Sequence, residues 1–289
     1  MQIRANGINL ECTETGPKDG PAMILIRGLG TQLIHWPQEF VQGLADLGYR
    51  VICFDNRDVG LSQRCPADGV AADADTILAQ IKVGGTAKPA YLPEDMALDV
   101  IGLMDALGIM RAHIFGISMG GLVAQLLAIH HSDRLLSDTI VMTSTRLRSP
   151  DLLAGLLAYP QTCGQAQDNW VAAHKAWGSH DYPMTEKAIR AEAAAAWARS
   201  PDVEGVNRQV LAIMNSADNR DALTAVDLPC LVIHGAIDTL VPPEGGREIA
   251  ALIPNAELEI IEGMGHFSTP LLAPIIIDKV HDFITRRGR

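Results

Sequence analysis

The chain of 289 residues is long enough for a large core with an insertion, and its 48% hydrophobic and 20% charged residues exclude a disordered chain. The formal net charge of −11 disfavours nucleic acid and anionic membranes as partners, because both bind basic surfaces. No apolar run reaches the roughly 18 residues of a membrane span, and the polar, alternating start predicts no secretory signal.

Short apolar strands alternate with glycine-rich turns and helical segments along most of the chain. Residues 2–14 alternate in polarity and turn at ANGIN, which predicts an antiparallel hairpin at one edge of a sheet. Further strands are predicted in AMILIRGLG, RVICFDNRDVGLS, AHIFGISMGG, DTIVMTS, PCLVIHGAID and AELEIIEGMGH. This alternation predicts an α/β fold with a mostly parallel sheet and helices on both faces.

Two segments interrupt this alternation of strands and helices. Residues 65–93 are rich in Gly, Ala and Pro and predict a surface loop with one short helix. Residues 147–221 show only helix-favouring segments, which predicts a helical cap over one end of the sheet. The predicted domains are therefore a core of residues 1–146 and 222–289 and a cap of residues 147–221. The alternative is that these helices simply extend the core.

The segment FGISMGG surrounds Ser118 with glycines, directly after an apolar strand and before a helix. To expose its hydroxyl above the sheet, Ser118 must adopt a strained backbone conformation. Gly116 and Gly120 lack the Cβ atoms that would collide beside it. A flexible loop that happens to contain a serine needs neither the strand nor the helix. The pattern therefore predicts a nucleophilic serine on a strand–turn–helix elbow.

A serine nucleophile needs a general base, and His266 is the candidate. It lies in EGMGHFSTP, in a turn at the carboxyl end of the last strand-like segment, where the loops of a parallel sheet form sites. The remaining histidines are interpreted as structural; they are His35, His113, His130, His131, His174, His180, His234 and His281.

The base in turn needs a carboxylate, and Asp238 in HGAIDTLVP follows a strand end. The resulting chain order of serine, aspartate and histidine is the order of this elbow class. Glu262 and Asp55 are the alternatives. Glu262 stays within its own strand end, and Asp55 is interpreted as a turn residue paired with Arg57.

An oxyanion formed at the serine needs two N–H donors. Met119 supplies one at the N-terminus of the helix after Ser118, where the helix dipole favours negative charge. The second donor is predicted to be the N–H of Leu29, in the turn RGLG after the first central strand. Gly28 and Gly30 give this turn its freedom, although both also fit an ordinary turn.

With these motifs in place, the chain resembles the α/β-hydrolase-fold serine hydrolases over essentially its full length. The matching segments, in order, are LIRGLG, FDNRDVGLS, YLPEDMALDVIGLMDALGI, GISMGG, VIHGAIDTLVPP and IEGMGH. Residues 34–62 are most similar to an esterase branch that includes aclacinomycin methylesterase-like enzymes. The resemblance implies an α/β-hydrolase fold: a mostly parallel eight-stranded sheet flanked by helices, with a helical cap inserted between core strands.

One residue departs from the family pattern. Many relatives have His-Gly after the first central strand, whereas this chain has Arg27-Gly28, so the contacts behind the oxyanion turn must differ. We interpret Arg27 as structural, with pairing to an acid or contact with an anionic substrate as the alternatives.

These residues predict a carboxylic ester hydrolase that cleaves a small-molecule ester through an acyl-enzyme. A proline iminopeptidase-like amidase, a lactonase, a C–C hydrolase or a perhydrolase would use the same triad, so these activities stay open. A ligand-binding receptor on this scaffold, without rapid turnover, is a further alternative. The substrate pocket is predicted to be apolar and to be lined by Leu156, Tyr159, Trp177 and Phe267.

No cofactor and no metal are predicted. The glycine turns lack the full context of a phosphate-binding fingerprint. The five cysteines are scattered, without metal-binding spacing, which favours a reduced, cytoplasmic protein. The sequence leaves the oligomeric state open, a homo-oligomer included.

Overall fold

The computed structural model of the chain describes residues 1–82, 87–146, 156–157 and 160–287. Its strands are β1 (Gln2–Ala5), β2 (Ile8–Thr15), β3 (Ala22–Ile26), β4 (Arg50–Phe54), β5 (Ala112–Ile117), β6 (Leu135–Val141), β7 (Cys230–Gly235) and β8 (Glu257–Ile261). Its α-helices are α1 (Gln38–Asp46), α2 (Ala74–Lys82), α3 (Pro93–Ala106), α4 (Met119–His130), α5 (Cys163–Trp177), α6 (Glu186–Arg199), α7 (Glu204–Met214), α8 (Arg220–Leu223), α9 (Glu244–Leu252) and α10 (Ala273–Arg287).

The strands form one eight-stranded sheet in the order β1-β2-β4-β3-β5-β6-β7-β8. β2 pairs antiparallel with β1 and with β4, and the other pairings are parallel. Asn6 and Gly7 turn the β1–β2 hairpin with φ of 45° and 78°, the positive values that a tight Asn-Gly hairpin turn requires. The predicted edge hairpin and the mostly parallel sheet are confirmed.

Two apolar layers pack on the sheet and explain why its central strands are apolar throughout. In β3, Ile24 and Ile26 belong to the cluster that includes α3 and α4, whereas Met23 and Leu25 belong to the cluster that includes α1 and α10. A strand that is covered on both faces has no polar side, so its sequence is a continuous apolar run. The turns at the carboxyl ends of the parallel strands are then available to build a site.

Between β6 and β7, the described residues contain helices α5 to α8 and no strand. Thr162 and Thr185 cap α5 and α6, because their hydroxyls accept hydrogen bonds of 3.2 Å from the backbone N–H groups of Gln165 and Ala188. Helices α5 and α6 pack against each other. Helix α7 instead joins the larger apolar cluster through residues 210–213, so this helix extends the core. Most of residues 147–159 lie outside the described residues.

Asp138 is a buried carboxyl group in the middle of the sheet. It lies in β6, opposite Ile114 of β5 and Cys230 of β7, and it is fully buried. Neither of its carboxyl oxygens has a hydrogen-bond partner among the described residues. Burial raises the pKa of Asp138 to about 8, because an apolar environment disfavours the charged form.

We expect Asp138→Asn to change how stability depends on pH. Because the pKa of Asp138 is higher in the folded than in the unfolded chain, the folded state binds the extra proton between about pH 4 and pH 8. The free energy of unfolding therefore falls as the pH rises through this window. Between pH 5 and pH 8 the free energy of unfolding of the wild type should fall by up to about 4 kcal/mol, and that of the uncharged variant should not show this fall. Urea unfolding at both ends of the window measures the difference, and parallel pH profiles of the two proteins would exclude this role.

Candidate active site

Ser118 lies on a sharp turn between β5 and α4, and its backbone is strained. Its φ of 55° and ψ of −118° are values that a residue with a side chain rarely adopts. A Cβ on Gly116 would lie 2.2 Å from the carbonyl oxygen of Gly120, and a Cβ on Gly120 would lie 2.2 Å from that of Ile26. Only glycine fits at these two positions, so the strand and the helix can approach each other closely enough to expose the Ser118 hydroxyl.

The three side chains predicted for a triad form one hydrogen-bonded series. Oγ of Ser118 lies 3.0 Å from Nε2 of His266, and Nδ1 of His266 lies 2.7 Å from Oδ2 of Asp238. His266 is 9% exposed and Asp238 is 3% exposed, so the contacts between them are shielded from water. The imidazole ring thus bridges a hydroxyl and a carboxylate that lie 120 positions apart in the sequence.

Asp238 is held as an anion at the end of β7. Its Oδ1 accepts hydrogen bonds from the backbone N–H groups of Leu240 at 3.0 Å and Val241 at 2.9 Å. Burial alone would raise its pKa, but the neighbouring His266 and the hydrogen bond from Val241 lower it to about 2. His234, interpreted from the sequence as an ordinary strand residue, has Nε2 3.6 Å from Oδ2 of Asp238 and contributes to this effect.

The two alternative acids lie elsewhere. Glu262 is exposed and makes no ion pair or hydrogen bond within the described part of the chain. Asp55 is fully buried, and it pairs with Arg199 of α6 at 2.6 Å. The predicted pairing of Asp55 with Arg57 is wrong, because Arg57 instead binds both oxygens of Asp99 at 2.6 Å.

The turn after β3 lies directly against Ser118. A Cβ on Gly28 would be 3.2 Å from Cβ and 3.6 Å from Oγ of Ser118, and Leu29, the next residue, lines the same cavity as Ser118. Met119 is the first residue of α4. The backbone N–H groups of Leu29 and Met119 donate no hydrogen bond to any described residue. Both are therefore free to bind an oxygen atom placed next to Ser118.

Gln209 holds this turn in place, a role that its sequence context does not predict. Its Oε1 accepts a hydrogen bond of 2.9 Å from the N–H of Gly30, and its Nε2 donates one of 2.8 Å to the carbonyl oxygen of Arg57. Gln209 is fully buried in α7. A residue from the inserted helices therefore braces the turn that carries Leu29.

The turn that carries His266 is also held by inserted residues. The N–H of His266 donates a hydrogen bond of 2.6 Å to the carbonyl oxygen of Trp177, and the hydroxyl of Ser179 accepts one of 3.0 Å from the N–H of Gly265. A Cβ on Gly265 would lie 2.3 Å from the carbonyl oxygen of Gly178. Glycine at position 265 thus allows the two segments to touch.

A cavity of about 950 Å³ opens above Ser118 and His266. Leu156, Trp177 and Phe267, three of the four predicted substrate-binding residues, line it together with alanine and tryptophan side chains of α5 and α6. Tyr159 lies outside the described residues. A mostly apolar cavity of this size is large enough for a small organic ligand.

A serine on a glycine elbow, beside an imidazole and a carboxylate at the carboxyl edge of a mostly parallel sheet, defines the class of α/β hydrolases. The model of the alpha/beta hydrolase fold family matches residues 21–270, and the chain belongs to this family. It is therefore a hydrolase.

Known relatives span several reactions of this class. The chain is 27% identical over 276 residues to rhodomycin D methylesterase DnrP of Streptomyces peucetius, covering 86% of each chain. It is 26% identical over 262 residues to 3-oxoadipate enol-lactonase 1 of Acinetobacter baylyi, covering 91% of this chain and 88% of the relative. The crystal structure of the enol-lactonase from Burkholderia xenovorans LB400 aligns with a TM-score of 0.78 and 29% identity, covering 99% of this chain and 100% of that one.

No three His, Cys, Asp or Glu side chains in the described part of the chain cluster so that they could hold a metal ion. None of the helices, as far as the structure describes them, combines the length and the apolar character that crossing a membrane requires.

Proposed function

We propose that this protein is a carboxylic ester hydrolase in which Ser118, His266 and Asp238 form a catalytic triad. The observation that carries the proposal is the continuous series of contacts from Oγ of Ser118 through the imidazole of His266 to Asp238, at 3.0 and 2.7 Å. A serine hydroxyl is a weak nucleophile, and a base at hydrogen-bond distance activates it.

In the proposed reaction, Oγ of Ser118 attacks the ester carbonyl carbon while Nε2 of His266 takes the hydroxyl proton. The carbonyl oxygen becomes an oxyanion, which accepts hydrogen bonds from the N–H groups of Leu29 and Met119. As the tetrahedral intermediate collapses, His266 donates the proton to the departing alcohol and an acyl-enzyme remains. A water molecule, deprotonated by His266, then releases the acid and restores the serine.

Asp238 has two roles in the proposed reaction. Its hydrogen bond to Nδ1 fixes the tautomer of His266 that leaves Nε2 free to accept a proton. Its negative charge stabilises the imidazolium that forms when the proton is transferred. The low pKa of Asp238, about 2, keeps the carboxylate ionised throughout the physiological pH range.

We also propose that the inserted helices, residues 147–221, act as a cap over the site. Helices α5 and α6 support this role because they supply much of the cavity wall, and Trp177 at the end of α5 accepts a hydrogen bond from the N–H of His266. Helix α7 differs, since it packs in the core, and its contribution to the site is that Gln209 braces the oxyanion turn. The apolar wall favours esters whose acyl or aromatic groups are apolar.

The experiment that tests the function is a hydrolysis screen of short neutral esters, with methyl butyrate and p-nitrophenyl butyrate as the first substrates. We expect turnover well above the uncatalysed rate for at least one of them. Background rates for every ester, together with measurable binding of a small molecule, would instead support a receptor on this scaffold.

A lactonase is the second candidate, and the similarity to two enol-lactonases favours it. A lactone is a cyclic ester, so the same triad opens it, and the alcohol stays attached to the acyl group. Adding γ- and δ-lactones to the screen separates the two activities. A preference of about tenfold or more in kcat/KM for lactones over linear esters would assign the chain to this second reaction.

A further inference from the structure

Arg27 is a buried cation beside the proposed nucleophile. It follows β3 directly before Gly28, is 5% exposed, and lines the same cavity as Ser118. Its guanidinium carbon lies 4.5 Å from the centroid of the Trp36 ring, and its Nε donates a hydrogen bond of 3.3 Å to Oγ1 of Thr31. Its Nη1 has no hydrogen-bond partner among the described residues.

Other buried arginines of this chain differ from Arg27 in that a carboxylate neutralises them. Arg57 binds both oxygens of Asp99 at 2.6 Å, and Arg208 binds both oxygens of Asp58 at 3.1 and 2.8 Å. Arg27 forms no ion pair with any acid in the described part of the chain. An unpaired buried charge destabilises a fold, because the charge is removed from water without compensation.

Arg27 also determines the charge of the cavity. Apart from Arg27 and the histidines, the one ionisable side chain among the described lining residues is Asp202, and Asp202 pairs with Arg64. The charge of Glu192 raises the pKa of Arg27, but the two side chains form no ion pair. Glu192 instead accepts a hydrogen bond of 2.8 Å from Nε1 of Trp170. Burial lowers the pKa of Arg27 to about 10, so the side chain is still charged at neutral pH.

We propose that Arg27 binds an ionised carboxylate of the substrate, so that the protein prefers esters or lactones that carry a second, anionic carboxylate group. This inference rests on the ester hydrolase function proposed above. The N–H donors of a guanidinium form a fork that matches the two oxygens of a carboxylate. Because Arg27 and Ser118 line the same cavity of about 950 Å³, one small molecule bound there can contact both residues.

Two pairs of substrates test this preference, with the carboxylate on either side of the ester bond. Monomethyl adipate and neutral methyl hexanoate form the acyl-side pair, and 4-acetoxybutanoate and neutral butyl acetate form the alcohol-side pair. We expect kcat/KM for the anionic member of at least one pair to exceed that of its neutral partner by about tenfold or more. Equal rates within both pairs would overturn the proposal.

Substitution of Arg27 identifies the source of the preference. Arg27→Met and Arg27→Gln should lower kcat/KM for the preferred anionic ester by about 10- to 100-fold and change the neutral ester by less than about threefold. Arg4→Met removes the same charge from the exposed edge strand β1 and should change neither rate. An equal loss on both esters in the Arg27 variants would show that Arg27 only supports the oxyanion turn, and the proposal would fail.

A binding measurement separates this proposal from the proposed function. The melting temperature of the Ser118→Ala variant should rise with adipate, and the rise should disappear in the Ser118→Ala/Arg27→Met double variant. If the wild type hydrolyses no ester but this shift is present, the esterase function fails and the carboxylate site stands. If esters are hydrolysed but adipate gives no Arg27-dependent shift, the carboxylate site fails and the esterase function stands.

Discussion

Ser118→Ala is expected to lower kcat for ester hydrolysis by about 10⁴-fold or more, because no other group can form the acyl-enzyme. The residual rate is expected to stay above the uncatalysed rate, since the N–H groups of Leu29 and Met119 can still stabilise an oxyanion formed by water attack. Alanine fits at this position without new contacts, so substrate binding should be retained. Steady-state kinetics with p-nitrophenyl butyrate measure the loss.

The matched control for this variant is Ser132→Ala. Ser132 is an exposed serine just after α4, far from the cavity, and its loss should change kcat by less than about twofold. A Ser118→Ala variant that keeps more than a tenth of wild-type kcat would show that Ser118 is not the nucleophile.

Asp238→Asn is expected to produce the second-largest effect, a fall of about 10³- to 10⁴-fold in kcat at neutral pH. The amide has almost the same shape but no charge, so it neither stabilises the imidazolium of His266 nor fixes its tautomer. KM should change little, because Asp238 is buried behind the imidazole and does not line the cavity. Kinetics on the neutral esters, with kcat and KM determined separately, provide the measurement.

Glu262→Gln is the comparison that makes the Asp238 result specific. Glu262 was the other acid near His266 in the sequence, and it is exposed. Its loss should leave kcat within about twofold of the wild type. If Glu262→Gln caused the larger loss, the carboxylate partner of His266 would have been assigned incorrectly.

The elbow at Ser118 was predictable because its requirements are local. A buried strand, two glycines at fixed spacing and a following helix are all contained within about 15 residues of sequence. The structure shows why both positions require glycine, since a Cβ at Gly116 or Gly120 would lie 2.2 Å from a backbone oxygen. The sheet was predictable for a similar reason, because strands buried on both faces, such as β3, are continuous apolar runs.

The support of the site was not predictable, because it depends on contacts between distant segments. Gln209 reaches the N–H of Gly30 across 179 positions, and nothing in the sequence around Gln209 distinguishes it from other polar helical residues. Asp55 illustrates the same limit. Its nearest cation in the sequence is Arg57, but the fold pairs it with Arg199 of α6. Short separation in the sequence is therefore a poor guide to which residues form ion pairs.

The inserted helices were predicted as a group, and the structure divides them. Helix α7 carries residues 210–213 into the main apolar cluster, whereas α5 and α6 mainly pack against each other and form the cavity wall. The apolar residues of α7 are gathered on one face more clearly than those of α5 and α6, but this pattern does not indicate which surface each helix covers. The position of α7 is set by groups of the core that it meets, because Gln209 donates a hydrogen bond to the carbonyl oxygen of Arg57 and Arg208 donates one to the carboxylate of Asp58.

Covalent labelling with a fluorophosphonate, followed by mass spectrometry of the peptides, asks directly whether His266 activates the hydroxyl of Ser118. We expect one equivalent of label, located on Ser118, and a labelling rate at least about 100-fold lower in His266→Ala. Label on another residue, or an unmodified Ser118 in a preparation that still hydrolyses esters, would mean that the reaction proceeds without this serine as the nucleophile.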